Sequence, residues 1–124
     1  MFTAIEPLNR YLTKFLRSAA HAKQICEEAG SPALRILIDN FQSHMEEVSV
    51  ADAIRTAGRL IGHIHISENN RRLPPQGSTD FAPIISALRA VGYEGFLSFE
   101  CEVGGEDAAA QLREAFAHMS RLLD

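Results

Sequence analysis

Residues 62–71 read GHIHISENNR, and this stretch sets the expectation for the whole fold. Polar and β-branched residues alternate in its first half, so His63 and His65 share one face of a predicted strand. Ile64 and Ile66 then share the opposite face. The strand is followed by a carboxylate, two amides and a guanidinium, which would make a poor hydrophobic core. We interpret this polar end as the rim of a site for a polar ligand.

The composition is that of one globular domain spanning residues 1–124, with 46% hydrophobic residues and a net charge of −4. The chain has no run of basic residues, so nucleic acid is not expected as a partner, whereas a small molecule is. No apolar run reaches the length of a membrane span and the start lacks a signal peptide, so we expect a cytoplasmic protein without a membrane partner. Cys26 and Cys101 show neither metal-ligand spacing nor a disulfide framework, and both are expected to be reduced.

Working outward from residues 62–71, the sequence predicts four strands that each precede a helix. The strands are expected over 2–5, 34–39, 61–66 and 95–100. Helical spacing of apolar residues follows over 10–29, from Ser49 to Gly58, from Asp80 to Gly92, and from Leu112 to the C-terminus. Residues 40–48 and 67–79 are expected to be loops.

Alternating strands and helices imply a parallel sheet covered by helices. Each unit averages 124/4 = 31 residues, and a TIM barrel places eight such units in about 250 residues. The expected fold is therefore α/β, half of a TIM (β/α)8 barrel with four βα units. The predicted lumen residues are Ala4, Leu37, His63 and Ser98, and the residues predicted to face the helices are Ile5, Ile38, Ile64 and Phe99.

A polar side chain ends each predicted strand: Glu6, Asp39, His65 and Glu100, separated by 33, 26 and 35 residues. Parallel strands place such residues on one rim, where barrel enzymes collect their catalytic groups. Three carboxylates and an imidazole would repel one another without a cation. This set of oxygens and one nitrogen suits Mn²⁺, Mg²⁺ or Co²⁺ better than tetrahedral zinc. Solvated strand ends would show the same spacing, and the residues alone leave that alternative open.

Five segments carry a resemblance to a known family, at residues 6–11, 39–47, 62–71, 74–77 and 99–100. There the sequence resembles the C-terminal half of the ketose 3-epimerases, the D-tagatose and D-psicose 3-epimerases of the xylose isomerase-like TIM barrel superfamily. The resemblance covers nearly the whole chain in one register. It implies a barrel enzyme that acts on a sugar.

By this resemblance the four strand-end residues match the family's metal ligands, with Mn²⁺ as the expected metal and Mg²⁺ or Co²⁺ as alternatives. Glu6 and Glu100 match the acid/base pair that inverts a carbon beside the ketose carbonyl through an enediolate. Arg71 matches the substrate-binding arginine. The implied reaction is 3-epimerisation or aldose–ketose isomerisation.

Two positions depart from the family where it contacts sugar hydroxyls. Gln42 stands in place of a histidine, with His44 two residues further on, and Leu12 stands in place of a glutamate. We therefore count Gln42 and His44 as candidate substrate contacts, together with Glu68 beside the site. These departures bear on which sugar is bound.

Acidic residues surround the glycine pair at 104–105. Glu102, Glu106 and Asp107 would repel a phosphate group that approached the last helix there. The predicted substrate is therefore an unphosphorylated ketose.

Two other classes of function are weighed against the epimerase. An endonuclease-IV-like metal phosphodiesterase would need more histidines and a basic groove. An inactive truncated or partner subunit would keep the fold without the reaction. Because the outer strands of a half barrel lack ladder partners, we expect a homodimer or pairing with a missing N-terminal half barrel.

Overall fold

A computed structural model describes residues 1–105 and 107–124. Four strands form one parallel sheet in the order β1-β2-β3-β4. The elements in chain order are β1 Thr3–Ile5, α1 Ala19–Ala29, β2 Leu34–Asp39, α2 Asn40–Glu46, α3 Val50–Ala57, a 3₁₀ turn Gly58–Leu60, β3 Ile61–Ile66, α4 Ala82–Ala90, β4 Leu97–Phe99 and α5 Ala108–Leu123. The predicted α/β fold with four βα units is confirmed.

The core lies between the sheet and the helices. Ile36, Ile38, Ile64 and Ile66 are each at most 1% exposed. Burying one such side chain contributes roughly 1.5–3 kcal/mol, so the two central strands are the most strongly anchored part of the sheet. The alternate residues, predicted to line the lumen, are only half-buried on the other face.

Gly62 permits a close approach at the start of β3. A β-carbon there would lie 2.7 Å from both Cβ of Arg35 and Cε2 of Phe2. Those contacts are too short for any larger residue without movement of its neighbours. Gly62 therefore lets the Phe2 ring and the Arg35 stem close over the end of the sheet opposite the polar residues.

The helix predicted over 10–29 is wrong in its first half, because only α1 is helical there. Ser18 caps α1, its Oγ accepting a hydrogen bond from the His21 N–H at 3.2 Å. Upstream, Oε1 of Glu46 accepts hydrogen bonds from the backbone N–H of Arg10 at 2.6 Å and from its Nε at 2.9 Å. These hydrogen bonds tie the irregular segment to α2, which is distant in sequence.

The loop predicted over 40–48 is also wrong, because most of it is helix α2. Asp39 caps this helix, its Oδ1 accepting hydrogen bonds from the N–H groups of Phe41 at 2.8 Å and Gln42 at 3.3 Å. An aspartate followed three residues later by glutamine is a capping-box signal that could have revealed the helix. Asp39 is thus both the last residue of β2 and the N-cap of α2.

The remaining boundaries agree closely with the sequence. Strand β4 is shorter than the predicted 95–100, although the Glu100 N–H still donates to the Ile66 carbonyl at 3.2 Å. Helix α4 begins slightly later than predicted, with Phe81 as N-cap, while Oδ1 of Asp80 accepts a hydrogen bond from the Ala82 N–H at 3.0 Å. Both cysteines are free thiols. Within the described residues, no helix is both long and apolar enough to cross a bilayer.

Candidate metal centre

The four strand-end side chains meet at one edge of the sheet. Glu6 follows β1, Asp39 ends β2, His65 lies near the end of β3 and Glu100 follows β4. One donor atom of each lies within 4.8 Å of the donor atoms of the other three. They converge because parallel strands that are adjacent in order bring their carboxyl ends to the same edge. A cluster of this size could hold one metal ion.

Asp39 is held on two sides. It is 1% exposed, and its Oδ1 caps α2. Its Oδ2 lies 2.8 Å from Nη1 of Arg71 and 3.8 Å from Nδ1 of His65. One oxygen is therefore fixed by the helix while the other faces the cluster.

His65 presents a buried nitrogen to the carboxylates. Its Nδ1 lies 3.3 Å from Oε2 of Glu100, yet it makes no hydrogen bond to any described residue. Buried polar atoms almost always have a partner, so this nitrogen fits a metal ligand. The ring of His63 packs perpendicular to it with centroids 5.1 Å apart, and burial and the neighbouring His65 lower the pKa of His63. His63 and His65 thus lie on the same face of β3, as the alternation in the sequence predicts.

Arg71 bridges the carboxylates from the loop after β3. Its guanidinium pairs with Asp39 and Glu100 and lies 4.8 Å above the Phe41 ring centroid. Burial alone would lower the pKa of Arg71, but hydrogen bonding and charge from the two carboxylates raise it. Its backbone has a φ of 65°, unusual for a residue other than glycine, and such conformations concentrate at functional sites.

The environments of two glutamates push their pKa values in opposite directions. Burial, followed by the charges of Asp39 and Glu100, raises the pKa of Glu6. The hydrogen bond with Asp39 is the main cause that lowers the pKa of Glu100. Burial raises the pKa of Asp39 itself. Without a metal ion, the environment thus favours the protonated form of Glu6 and the ionised form of Glu100.

Two of the predicted substrate contacts make hydrogen bonds to other segments of the chain. Oε1 of Gln42 accepts hydrogen bonds from the Asn9 N–H at 3.1 Å and from Asn9 Nδ2 at 2.6 Å. Glu68 is 2% exposed, and its Oε2 accepts a hydrogen bond from the Thr79 N–H at 2.8 Å. Gln42 thus ties the segment after β1 to α2, and Glu68 bonds to Thr79 within the loop after β3.

His44 is not brought to the cluster. Its side chain is exposed and lines a separate cavity of about 230 Å³ with Glu47 and Asp80. It lies on the exposed side of α2, because the buried side of that short helix carries Asn40 and Gln42. His44 is therefore not one of the residues that form the cluster, and its contact with a sugar stays a prediction.

Asn40 and Phe41 have site contacts that the sequence pattern does not reveal. Asn40 bonds to Ser67 beyond the end of β3, and Phe41 lies under Arg71. Both contacts join residues about thirty positions apart. The capping signal at Asp39 would have placed both on the first turn of a helix beside the site.

Comparisons with known proteins bear on the whole architecture. The family model for the xylose isomerase-like TIM barrel matches residues 2–122. The D-psicose 3-epimerase of Enterocloster bolteae is 42% identical over 91 residues, covering 73% of this chain and 30% of that relative. The 3-dehydro-D-guloside 4-epimerase of Escherichia coli is 33% identical over 113 residues, covering 91% of this chain and 43% of that relative.

A solved structure shows the same half-barrel relation. The crystal structure of a D-psicose 3-epimerase in the presence of D-fructose superposes with a TM-score of 0.89 and 32% identity, over 99% of this chain and 50% of that one. The chain thus spans half or less of these relatives. Its four βα units correspond to half of an eight-unit barrel, as predicted, and the resemblance to ketose 3-epimerases is confirmed.

Proposed function

Because the chain belongs to the xylose isomerase-like TIM barrel family, we propose that it carries the metal-binding and acid/base half of a sugar epimerase or isomerase. The observation that supports this most is the convergence of Glu6, Asp39, His65 and Glu100, including a buried imidazole nitrogen without a hydrogen-bond partner among the described residues. Relatives named as 3- and 4-epimerases of sugars point to the same class of reaction.

The proposed cofactor is one divalent metal ion held by these four side chains. Three carboxylates and one imidazole form an oxygen-rich set that favours Mn²⁺, with Mg²⁺ and Co²⁺ as alternatives. When bound, the metal would polarise the ketose carbonyl and stabilise the negative charge that develops beside it.

The chain's own residues would move the proton. One of the two glutamates, Glu6 or Glu100, accepts the proton from the carbon beside the carbonyl. The other glutamate returns a proton to the opposite face of that carbon, which inverts its configuration. The two residues follow the outermost strands of the sheet, so they flank Asp39 and His65 from opposite sides. In the reverse reaction the two glutamates exchange roles, while Arg71 is positioned to bind a substrate oxygen.

An unphosphorylated ketose is the proposed substrate. Glu102 and the capping residue Asp107 flank the glycines at 104–105, and both would repel a phosphate group. Glu106, which enters the same sequence argument, lies outside the described residues. D-psicose and L-ribulose, from the names of relatives, are the first sugars to test.

A second candidate follows from the coverage of the relatives. A chain that matches half of an eight-unit barrel could bind the metal without turning over substrate, as an inactive or partner subunit. The phosphodiesterase alternative gains no support, since the cluster contains a single histidine and the chain has a net charge of −4.

The decisive experiment separates metal binding from turnover. The purified chain is loaded with Mn²⁺ and incubated in D₂O with D-psicose or L-ribulose, and NMR follows deuterium at the carbon beside the carbonyl and the appearance of the epimer. We expect both signals in the wild type, and loss of the epimer in Glu100→Gln, with Glu94→Gln at the opposite end of the sheet as the matched control. Metal binding without exchange would favour the inactive-subunit candidate, and absence of metal binding would refute the proposal.

A further inference from the structure

Asn40 makes a reciprocal pair of hydrogen bonds beside the metal centre. Its side chain is buried, and the residue is 2% exposed. Its Nδ2 donates to the Ser67 carbonyl at 2.7 Å, while its Oδ1 accepts from the Ser67 N–H at 2.8 Å. The side-chain amide therefore satisfies both backbone polar groups of a residue that follows β3.

This pair continues the sheet after its backbone ladder has ended. The last register pair between β2 and β3 is Asp39 with His65. At Asn40 the main chain turns into α2, so its backbone leaves the ladder. The Asn40 side-chain amide gives Ser67 the hydrogen-bond donor and acceptor that the backbone of β2 would have given it if the strand had continued.

We propose that Asn40 is a positioning residue of the metal centre, which holds Asp39 and His65 at the spacing that lets both reach one ion. The inference rests on the proposed function. Asp39 is fixed by α2 through its Oδ1, and His65 belongs to β3, so the two ligands sit on different elements. The Asn40 amide joins α2 to the end of β3 through its hydrogen bonds with Ser67. These bonds lie one residue after Asp39 and two residues after His65.

Electrostatics and positioning predict opposite results for one substitution. In Asn40→Asp, the isosteric carboxylate adds a negative charge next to the cluster, and charge alone would strengthen binding of a cation. The same change replaces the amide donor with an oxygen that faces the Ser67 carbonyl, so the two strand ends are pushed apart. Weaker metal binding in this variant would therefore identify positioning as the dominant effect.

The test compares Mn²⁺ affinity and the visible absorption spectrum of bound Co²⁺, which reports ligand geometry. The variants are Asn40→Asp and the similarly sized, uncharged Asn40→Leu, each checked for folding by circular dichroism. Ser49→Ala is the stability control, because it removes the cap of α3 without touching the strand ends. We expect both Asn40 variants to bind Mn²⁺ about 10–100-fold more weakly, with an altered Co²⁺ spectrum, and the control to match the wild type.

Unchanged Mn²⁺ affinity and Co²⁺ spectrum in the Asn40 variants would overturn the inference, even if their melting temperatures fall. Tighter Mn²⁺ binding by Asn40→Asp would overturn it as well. If the wild type itself binds neither metal, the proposed function fails and the inference fails with it. If Asn40→Leu does not fold, the isosteric Asn40→Asp still decides the question.

Discussion

Asp39 combines two roles in a single carboxylate. Its Oδ1 caps α2, and its Oδ2 faces the proposed metal site. A buried carboxylate is costly unless it is paired, and here the helix N–H groups and Arg71 provide the pairing. The same residue therefore explains why a helix starts at this point and why the cluster forms there.

The two roles can be separated by mutation. Asp39→Ala and His65→Ala should abolish tight Mn²⁺ binding, because each removes one of four ligands. Asp39→Asn keeps an oxygen that can cap α2. Its free energy of unfolding should therefore exceed that of Asp39→Ala by about 1 kcal/mol, the typical contribution of an N-cap. Metal analysis and thermal unfolding by circular dichroism measure both effects. Stoichiometric metal in either alanine variant would contradict the ligand assignment.

Glu6 is expected to destabilise the metal-free protein at neutral pH. Its pKa in the folded state is raised by burial and by the charges of Asp39 and Glu100, whereas in the unfolded chain it is about 4.3. Between those two pKa values the folded state binds more protons than the unfolded state. The free energy of unfolding therefore falls as the pH rises through that interval.

Glu6→Gln removes this penalty. In the presence of a chelator the variant should have a higher Tm than the wild type at neutral pH. The difference should vanish below about pH 4, where Glu6 is protonated in both states. Thermal unfolding at the two pH values measures it, and Mn²⁺ should reverse the order by stabilising the wild type. A destabilised variant at neutral pH without metal would contradict the argument.

At the scale of elements, α2 organises the segment after β1. Oε1 of Glu46 accepts a hydrogen bond from the Arg10 N–H at 2.6 Å, and Oε1 of Glu47 accepts one from the Ala19 N–H at 2.7 Å. Gln42, on the same helix, holds Asn9. Helix α2 thus fixes the route of the chain away from Glu6.

These contacts predict selective changes in hydrogen exchange. In Glu46→Ala the Arg10 amide should lose protection while the Ala19 amide keeps it, and Glu47→Ala should show the opposite pattern. Each variant serves as the control for the other, since both remove one carboxylate from the end of α2. Residue-resolved amide exchange by NMR is the measurement. Equal loss of protection at both amides would mean that the helix end, not the individual carboxylates, holds the segment.

At the scale of the whole molecule, the sheet has two outer strands, and an apolar cavity lies beside one of them. In the described chain β1 and β4 each pair on one side only. Beside β4, an apolar cavity of about 270 Å³ adjoins two aromatic side chains, Phe96 at 83% and Phe116 at 70% exposure. Such an edge and such exposed aromatic side chains favour association with another chain.

We therefore propose that the 124-residue chain forms a homodimer or pairs with an N-terminal half barrel. Light scattering coupled to size exclusion at micromolar concentration should show a species larger than the 13.7 kDa monomer. Phe116→Glu should shift it towards monomer, because the charge would be buried at the contact. Phe15→Glu is the matched control, since Phe15 is also 70% exposed but lies in the segment tied to α2. A stable, well-folded wild-type monomer would refute the proposal.

The sequence by itself determined the central strands and the residues at the strand ends. The alternation in 61–66 and the branched run in 34–39 are local patterns, and β3 and β2 match them residue for residue. The near-regular spacing of Glu6, Asp39, His65 and Glu100 follows from the length of a βα unit. Parallel strands convert that spacing into proximity without further information.

Only the tertiary structure decided the irregular segment after β1 and the Asn40 link. Each depends on a side chain that bonds to backbone groups brought close by folding, such as Glu46 with Arg10 and Asn40 with Ser67. Apolar periodicity records which face is buried, but it does not record which distant carboxylate or amide will satisfy a given N–H. Local patterns therefore placed the ligands, whereas long-range hydrogen bonds, satisfied only in the folded chain, set the frame that holds them.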